Sequence, residues 1–188
     1  MRWILIHTED INLVKIEIKK ATKKHILQLS KLFRQEIEYQ RSLSGYFELQ
    51  QDFDWEAYVG WKLEGSNRQV FVAVSGECLA GFIDIKIINY PSSIGFKSIL
   101  KRILHPAKKG ILLPIKPIRW GFIEDCYVVP SLRKQGIGSQ LVVSATKWFQ
   151  SKKVGRIELS LVAKNTEGEA FWRKAGYETF RLSLSRDI

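Results

Sequence analysis

A chain of 188 residues with 45% hydrophobic and 26% charged residues has the length of one ordinary domain and enough apolar residues for a core, which excludes a disordered, collagen-like or disulfide-stapled chain. Its 30 Lys and Arg against 19 Asp and Glu give a net charge of +11, which draws anionic partners over about a Debye length. Two lone cysteines, Cys78 and Cys126, and three scattered histidines, His7, His25 and His105, offer no zinc-type spacing, so no metal is expected.

At the amino end only Trp3 to Ile6 are apolar in a row, too few for a signal peptide or a membrane span, and no other stretch approaches the length of a span. Both cysteines sit in apolar runs and read as small buried hydrophobes, so a cytoplasmic location is expected. Val14, Ile16 and Ile18 alternate with Lys15, Glu17 and Lys19, the period of a half-buried strand. Thr22 is suited to cap a helix that carries Ile26, Leu29, Leu32, Phe33 and Ile37 as far as about Tyr39. A polar, Gly-broken stretch follows. Asp54 then caps a second helix, with Trp55, Tyr58, Val59 and Leu63 on one side and Gly65 at its end. Val70 to Val74 and Leu79 to Ile88 form a hairpin about Ser75-Gly76-Glu77.

From Tyr90 to Gly121 the chain has seven basic residues and no acidic one. Within it Phe96, Ile99, Leu100, Ile103 and Leu104 keep helical spacing, with cations opposite, before three prolines intervene. This predicts a basic amphipathic insertion at about 90–118 in a single domain spanning 1–188. Packing of its apolar side on the domain is favoured over nucleic-acid or membrane contact.

Phe122 to Val129 reads as a central strand stopped by Pro130. Arg133-Lys134-Gln135-Gly136-Ile137-Gly138 then leads into a helix that buries Leu141, Val142, Ala145, Trp148 and Phe149. Glycines before a helix start leave backbone N–H groups free for an oxyanion, the helix dipole adds positive charge there, and Arg133 and Lys134 add more. A diphosphate suits this loop. It is not a P-loop, which needs Gly-Lys-Ser/Thr. The third glycine of a dinucleotide fingerprint is replaced by Leu141, although Glu158 lies twenty residues beyond Gly138. Arg156 to Ala163 forms another strand, and Asn165 precedes a short helix with Phe171 and Trp172, ended by Ala175-Gly176-Tyr177.

Val128-x-Pro130, Arg133-x-x-Gly136-x-Gly138, a strand, and then Asn165 with Trp172 and Gly176-Tyr177 at fixed spacing resemble the GNAT superfamily of acetyl-CoA-dependent N-acetyltransferases. The resemblance implies an α/β (α+β) GNAT fold, in which a mixed central sheet of about six to seven strands is splayed between the fourth and fifth, with helices on both faces. It further implies acetyl-CoA as cosubstrate. Tyr127, Val128 and Val129 would hold the pantetheine arm through their backbones. Arg133, Lys134, Gln135, Gly136, Ile137, Gly138 and Ser139 would hold the diphosphate, and Asn165 and Trp172 would touch the cofactor. Val128 N–H would stabilise the thioester oxyanion.

Glu124 is the candidate base. Adjacent Asp125 points to the other side of a regular strand unless a bulge intervenes. Trp172 stands where many members carry a tyrosine acid, so the thiolate is expected to leave without a dedicated acid. The acceptor is expected near Tyr46, Phe47 and Asp125, with Asp52 and Phe53 close by. The function expected is direct transfer of acetyl to a primary amine of a small molecule or protein. The alternative is a non-catalytic acyl-CoA-binding module whose basic segment contacts nucleic acid or membrane.

Overall fold

The computed structural model describes residues 16–45, 48–90 and 118–186. Val14, the amino-terminal run, Tyr46, Phe47 and the 91–117 insertion lie outside the described residues. β1 (Ile16–Lys20) opens the chain, and a 3₁₀ turn at Lys23–His25 follows. There Thr22 and His25 cap each other reciprocally, which delays α1 to Ile26–Ser44. This helix outruns its expected end by five residues and stops at Gly45, whose φ of 61° is left-handed. Asp54 caps α2 (Trp55–Glu64), its carboxylate accepting from Ala57 N–H at 2.8 Å.

β2 (Arg68–Ser75) and β3 (Cys78–Tyr90) form the hairpin. β4 (Ile118–Val128) pairs antiparallel with β3 so that Ile118 opposes Tyr90. Tyr90 and Ile118, which flank residues 91–117, therefore stand side by side on the sheet. After a 3₁₀ turn at Pro130–Leu132 come α3 (Ile137–Ser151), β5 (Ile157–Leu159) and α4 (Thr166–Lys174).

The described sheet has five strands in the order β1-β2-β3-β4-β5, antiparallel except for the parallel β4–β5 pair. The expected six to seven are not reached. β5 holds only three of the residues expected in it, and Phe180, Leu182 and Leu184, which alternate like a strand, face solvent. With β5 this short there is little edge for a further strand to pair with. Both faces are covered, which explains the near-continuous apolar runs of β2 and β3. Val70, Val72, Phe82 and Tyr127 pack with Leu29, Phe33 and Val59 beneath α1 and α2. Phe71, Ile83, Ile85 and Ile123 pack on the other face with Leu141, Ala145 and Phe149 of α3 and Trp172 of α4. All five residues expected to be buried in α3 are buried.

Candidate active site

The loop before α3 is shaped for an anion. Lys134 and Gly136 both have positive φ, 62° and 80°, so the peptide turns sharply between them, and no side chain caps α3. The N–H groups of Ile137, Gly138 and Ser139 have no acceptor within the helix. They converge with the positive end of its dipole, a cradle for phosphate oxygens. The two glycines differ in purpose. Gly136 adopts a backbone that L-residues avoid, whereas a Cβ on Gly138 would stand 3.1 Å from the Phe171 ring.

Above this loop the sheet opens. β4 pairs with β5 only through Gly121, Phe122 and Ile123, so from Glu124 to Val128 the edge turned away from β3 has no strand beside it. A cleft of about 570 Å³ occupies the gap, between this edge, Leu159 to Val162, and residues of α1, α3 and α4.

Strand alternation decides which backbone groups face it. Val129 N–H donates to Ala80 C=O on β3 at 2.9 Å, so the N–H of Val128 is turned to the open edge, as is that of Cys126. Val128 C=O already accepts from Arg133 Nε at 3.1 Å. Of the three backbones expected to hold the cofactor arm, Val128 is positioned to do so. Val129 is committed to β3 and packs on the α1–α2 side. Tyr127 offers its side chain to the cleft.

The cleft also brings together Glu124, Asp125, Lys134, Gly136, Ile137, Gly138, Ser139, Asn165 and Trp172 as expected, but not Gln135, which is exposed on the loop. Arg133 is turned inward rather than out along the loop. Its guanidinium lies 5.2 Å from the Tyr39 ring centroid and 5.7 Å from that of Tyr127, with Glu167 at 3.4 Å. Asn165 caps α4, accepting from Gly168 N–H at 2.9 Å, and receives Tyr39 OH at 3.4 Å across the cleft. Phe53 packs on Trp55 and Tyr58. Neither it nor Asp52 is in the cleft wall.

A bulge does intervene at the acidic pair. The register passes from Asp84–Asp125 to Ile85–Ile123, leaving Glu124 without a partner on β3. Both carboxylates therefore reach the same cation, Lys62 of α2, at 3.5 Å for Glu124 and 3.0 Å for Asp125. Lys62 lies 2.5 Å from Asp84, which is wholly buried in β3. Glu124 is also bonded by Arg68, and by Lys86 at 2.5 Å.

Burial alone would raise the Glu124 pKa, but Lys86, Lys62 and Arg68 outweigh it and hold the carboxyl below its ordinary value. Burial works against the Lys62 charge, yet Asp125 and Asp84 keep its ammonium well above the lysine range. Burial lifts Asp84 to about 7 despite Lys62, and raises Asp125. A carboxylate gripped by three cations is a poor proton acceptor. Glu124, the expected base, thus lines the cleft with its carboxylate paired to cations from α2, β2 and β3.

These geometric features have relatives among known proteins. A profile of the Acetyltransferase (GNAT) family matches residues 28–177. The chain belongs to the GNAT acetyltransferases. Among solved structures, a mutant of the BH1408 protein from Bacillus halodurans superposes with a TM-score of 0.75 at 19% identity, covering 92% of this chain and 99% of that one. The aminoglycoside acetyltransferase AAC(6')-Iy, bound to a bisubstrate analogue of CoA and acetylneamine, gives 0.62 at 18%, covering 93% and 99%. An aminoglycoside acetyltransferase from an uncultured soil metagenomic sample, in complex with trehalose, gives 0.62 at 16%, covering 95% and 99%. No curated protein matches this chain.

The buried charged residues of this region that spacing does not single out are Glu36, Lys62 and Asp84, each set inside an apolar stripe. Glu36 follows Leu29, Leu32 and Phe33 at helical spacing, Lys62 follows Val59, and Asp84 interrupts Phe82-Ile83-Asp84-Ile85. That interruption was the available signal, since a charge on a buried face needs a partner or a purpose. Tyr177 packs its ring on Trp172, centroids 5.1 Å apart, but is not part of the cleft wall. Burial pushes its phenol up to about 12, with a contribution from Cys126.

Proposed function

We propose that this GNAT domain transfers an acetyl group from acetyl-CoA directly to a primary amine on a small cationic molecule. The observation that carries the reading is the continuity of the cleft: an unpaired strand edge at Cys126 and Val128 leads down to an uncapped helix with a left-handed loop before it. The strand edge suits the amide-bearing pantetheine arm, as an added strand would. The loop suits the diphosphate. Val128 N–H is directed to the open edge, where it would meet the charge that develops on the thioester oxygen.

The thiolate leaves without an acid from the Trp172 position, where indole N–H donates only a hydrogen bond. Burial, with Glu36 and Asp125 adding to it, pushes the Cys126 thiol to about 12, so no acetyl-enzyme is invoked. The unpaired Glu36 carboxyl in the cleft wall favours a cationic acceptor, as does the likeness to acetyltransferases whose names specify aminoglycosides.

The test is thiol release from acetyl-CoA across a panel of amines, with product mass read for the added acetyl group. Saturable release with acetylated product is expected on at least one small polyamine. Coenzyme bound tightly with no turnover on any acceptor would leave the binding module instead.

A further inference from the structure

The buried charges around β4 balance. Lys62, Arg68 and Lys86 face Asp84, Glu124 and Asp125 in one linked set of ion pairs. One more buried carboxyl borders the same cleft and stands outside that balance. Glu36, on the inner side of α1, is 4% exposed. Its Oε1 accepts from Gln40 Nε2, and its Oε2 is buried with no hydrogen-bond partner. Among the described residues no cation lies within ion-pairing distance of it.

The groups that face it are Gln40 from α1, Asp125, Cys126 and Tyr127 from β4, and Lys62 from α2, which is already held by Asp84 and Asp125. A fourth negative charge here has no counter-ion. Burial and the nearby Asp125 accordingly push the Glu36 carboxyl up to about 8, so it is largely neutral at pH 7 while no cation occupies the cleft.

An alkylammonium is the counter-ion this arrangement lacks, and its own pKa of about 10 makes it a reluctant nucleophile until a base takes its proton. We infer that Glu36 is the proton acceptor for the amine, a step that rests on the acetyl-transfer reading and names the residue through which it runs. Entry of the ammonium displaces the Glu36 proton to solvent and leaves a carboxylate against the cation. The carboxylate takes one N–H proton, the freed lone pair forms the C–N bond at the thioester carbonyl, and the C–S bond breaks with its electron pair on sulfur. The second nitrogen proton passes to the thiolate or to water. Glu36, now carrying the nitrogen's proton, is back in the neutral form in which it began, and one proton has been released overall.

Two measurements test this on the whole chain. In the first, the ¹³C-glutamate carboxyl resonances are titrated with acetyl-CoA present, with and without n-butylammonium chloride. One resonance should titrate near 8, move to lower pH when the amine is added, and vanish in Glu36→Gln. A Glu36 resonance with an ordinary carboxyl pKa, or one indifferent to the amine, would sink the inference.

In the second, kcat/KM for the acceptor found in the panel is followed from about pH 6 to 10. Glu36→Gln should lose roughly 100-fold or more at pH 7, with the limb near pH 8 replaced by a rise toward the amine's own pKa of about 10 and acetyl-CoA KM within about twofold. Glu36→Asp should restore part of the rate together with the limb. If amines turn over and Glu36→Gln keeps the limb and more than about a tenth of the rate, the inference fails and the transfer reading stands. If coenzyme binds and no amine turns over, the transfer reading fails and takes this step with it.

Discussion

Glu36 and Glu124 are the same side chain in opposite surroundings, and the difference has a signature in stability as well as in catalysis. A carboxyl raised from 4.5 to about 8 in the folded chain keeps a proton that the unfolded chain has already lost, so folding binds a proton over that interval. The stabilisation is full below the unfolded pKa and is lost as pH climbs through about 8. Asp84, lifted from 3.8 to about 7, acts in the same direction. Glu124 acts oppositely, but its lowered pKa places its loss in the acid range, below the ordinary carboxyl value. The free energy of unfolding should therefore fall between about pH 5 and pH 8.5, at about 1.4 kcal/mol for each pKa unit involved. Glu36→Gln should flatten much of that slope in urea titrations at the two pH values; an unchanged slope would remove Glu36 as its source. Trp172 poses a second question at this scale. If sulfur needs no acid, Trp172→Tyr should change kcat by less than tenfold at constant acetyl-CoA KM, because a thiol with a pKa of about 8.5 is a tolerable leaving group. A larger rise would mean that proton delivery limits turnover.

Two elements meet at the lower end of the cleft, and glycines set how each begins. At Gly136 a Cβ would find open space, but φ is 80°, so Gly136→Ala should cost about 1–2 kcal/mol of stability through backbone strain alone. It should also weaken coenzyme binding by disturbing the cradle. At Gly168 the conformation is helical, and the obstacle is the Asn165 side chain, 2.7 Å from where an added methyl would sit. Gly168→Ala should therefore displace the cap of α4 and cost about 1 kcal/mol, measured by chemical unfolding. Periodicity made the start and inner face of α3 readable, because Gly136, Leu141, Ala145 and Phe149 follow local rules of helix entry and burial. It could not show that β5 would stop at Leu159, since the splay depends on what lies between two strands distant in sequence. Nor could it show the bulge at Glu124, which is a property of the β3–β4 register. The acidic pair was legible as a pair, and its partners were not: Lys62, Arg68 and Lys86 come from three other elements. Spacing along β4 therefore marked Glu124 without showing the three cations that hold it.

Over the whole molecule, charge is divided between a buried set that is internally matched and a surface that is strongly positive. The net charge of +11 acts on an approaching polyanion through solvent, whereas the Lys62–Asp84 pair, 4% and 0% exposed, is shielded from dissolved ions. Salt should therefore separate arrival from chemistry. Raising ionic strength from about 0.05 to 0.5 M shortens the Debye length from roughly 14 to 4 Å. kcat/KM for acetyl-CoA should then fall severalfold, while kcat at saturating acceptor and coenzyme changes by less than about twofold. A coenzyme lacking its 3′-phosphate should show a shallower dependence, because fewer charges are steered. Lys134→Gln should also flatten it, since Lys134 is the exposed cation of the loop. Equal salt sensitivity of kcat and kcat/KM would mean that the charges around Glu124 are open to solvent, and the division between a screened surface and a dry acidic cluster would have to be abandoned.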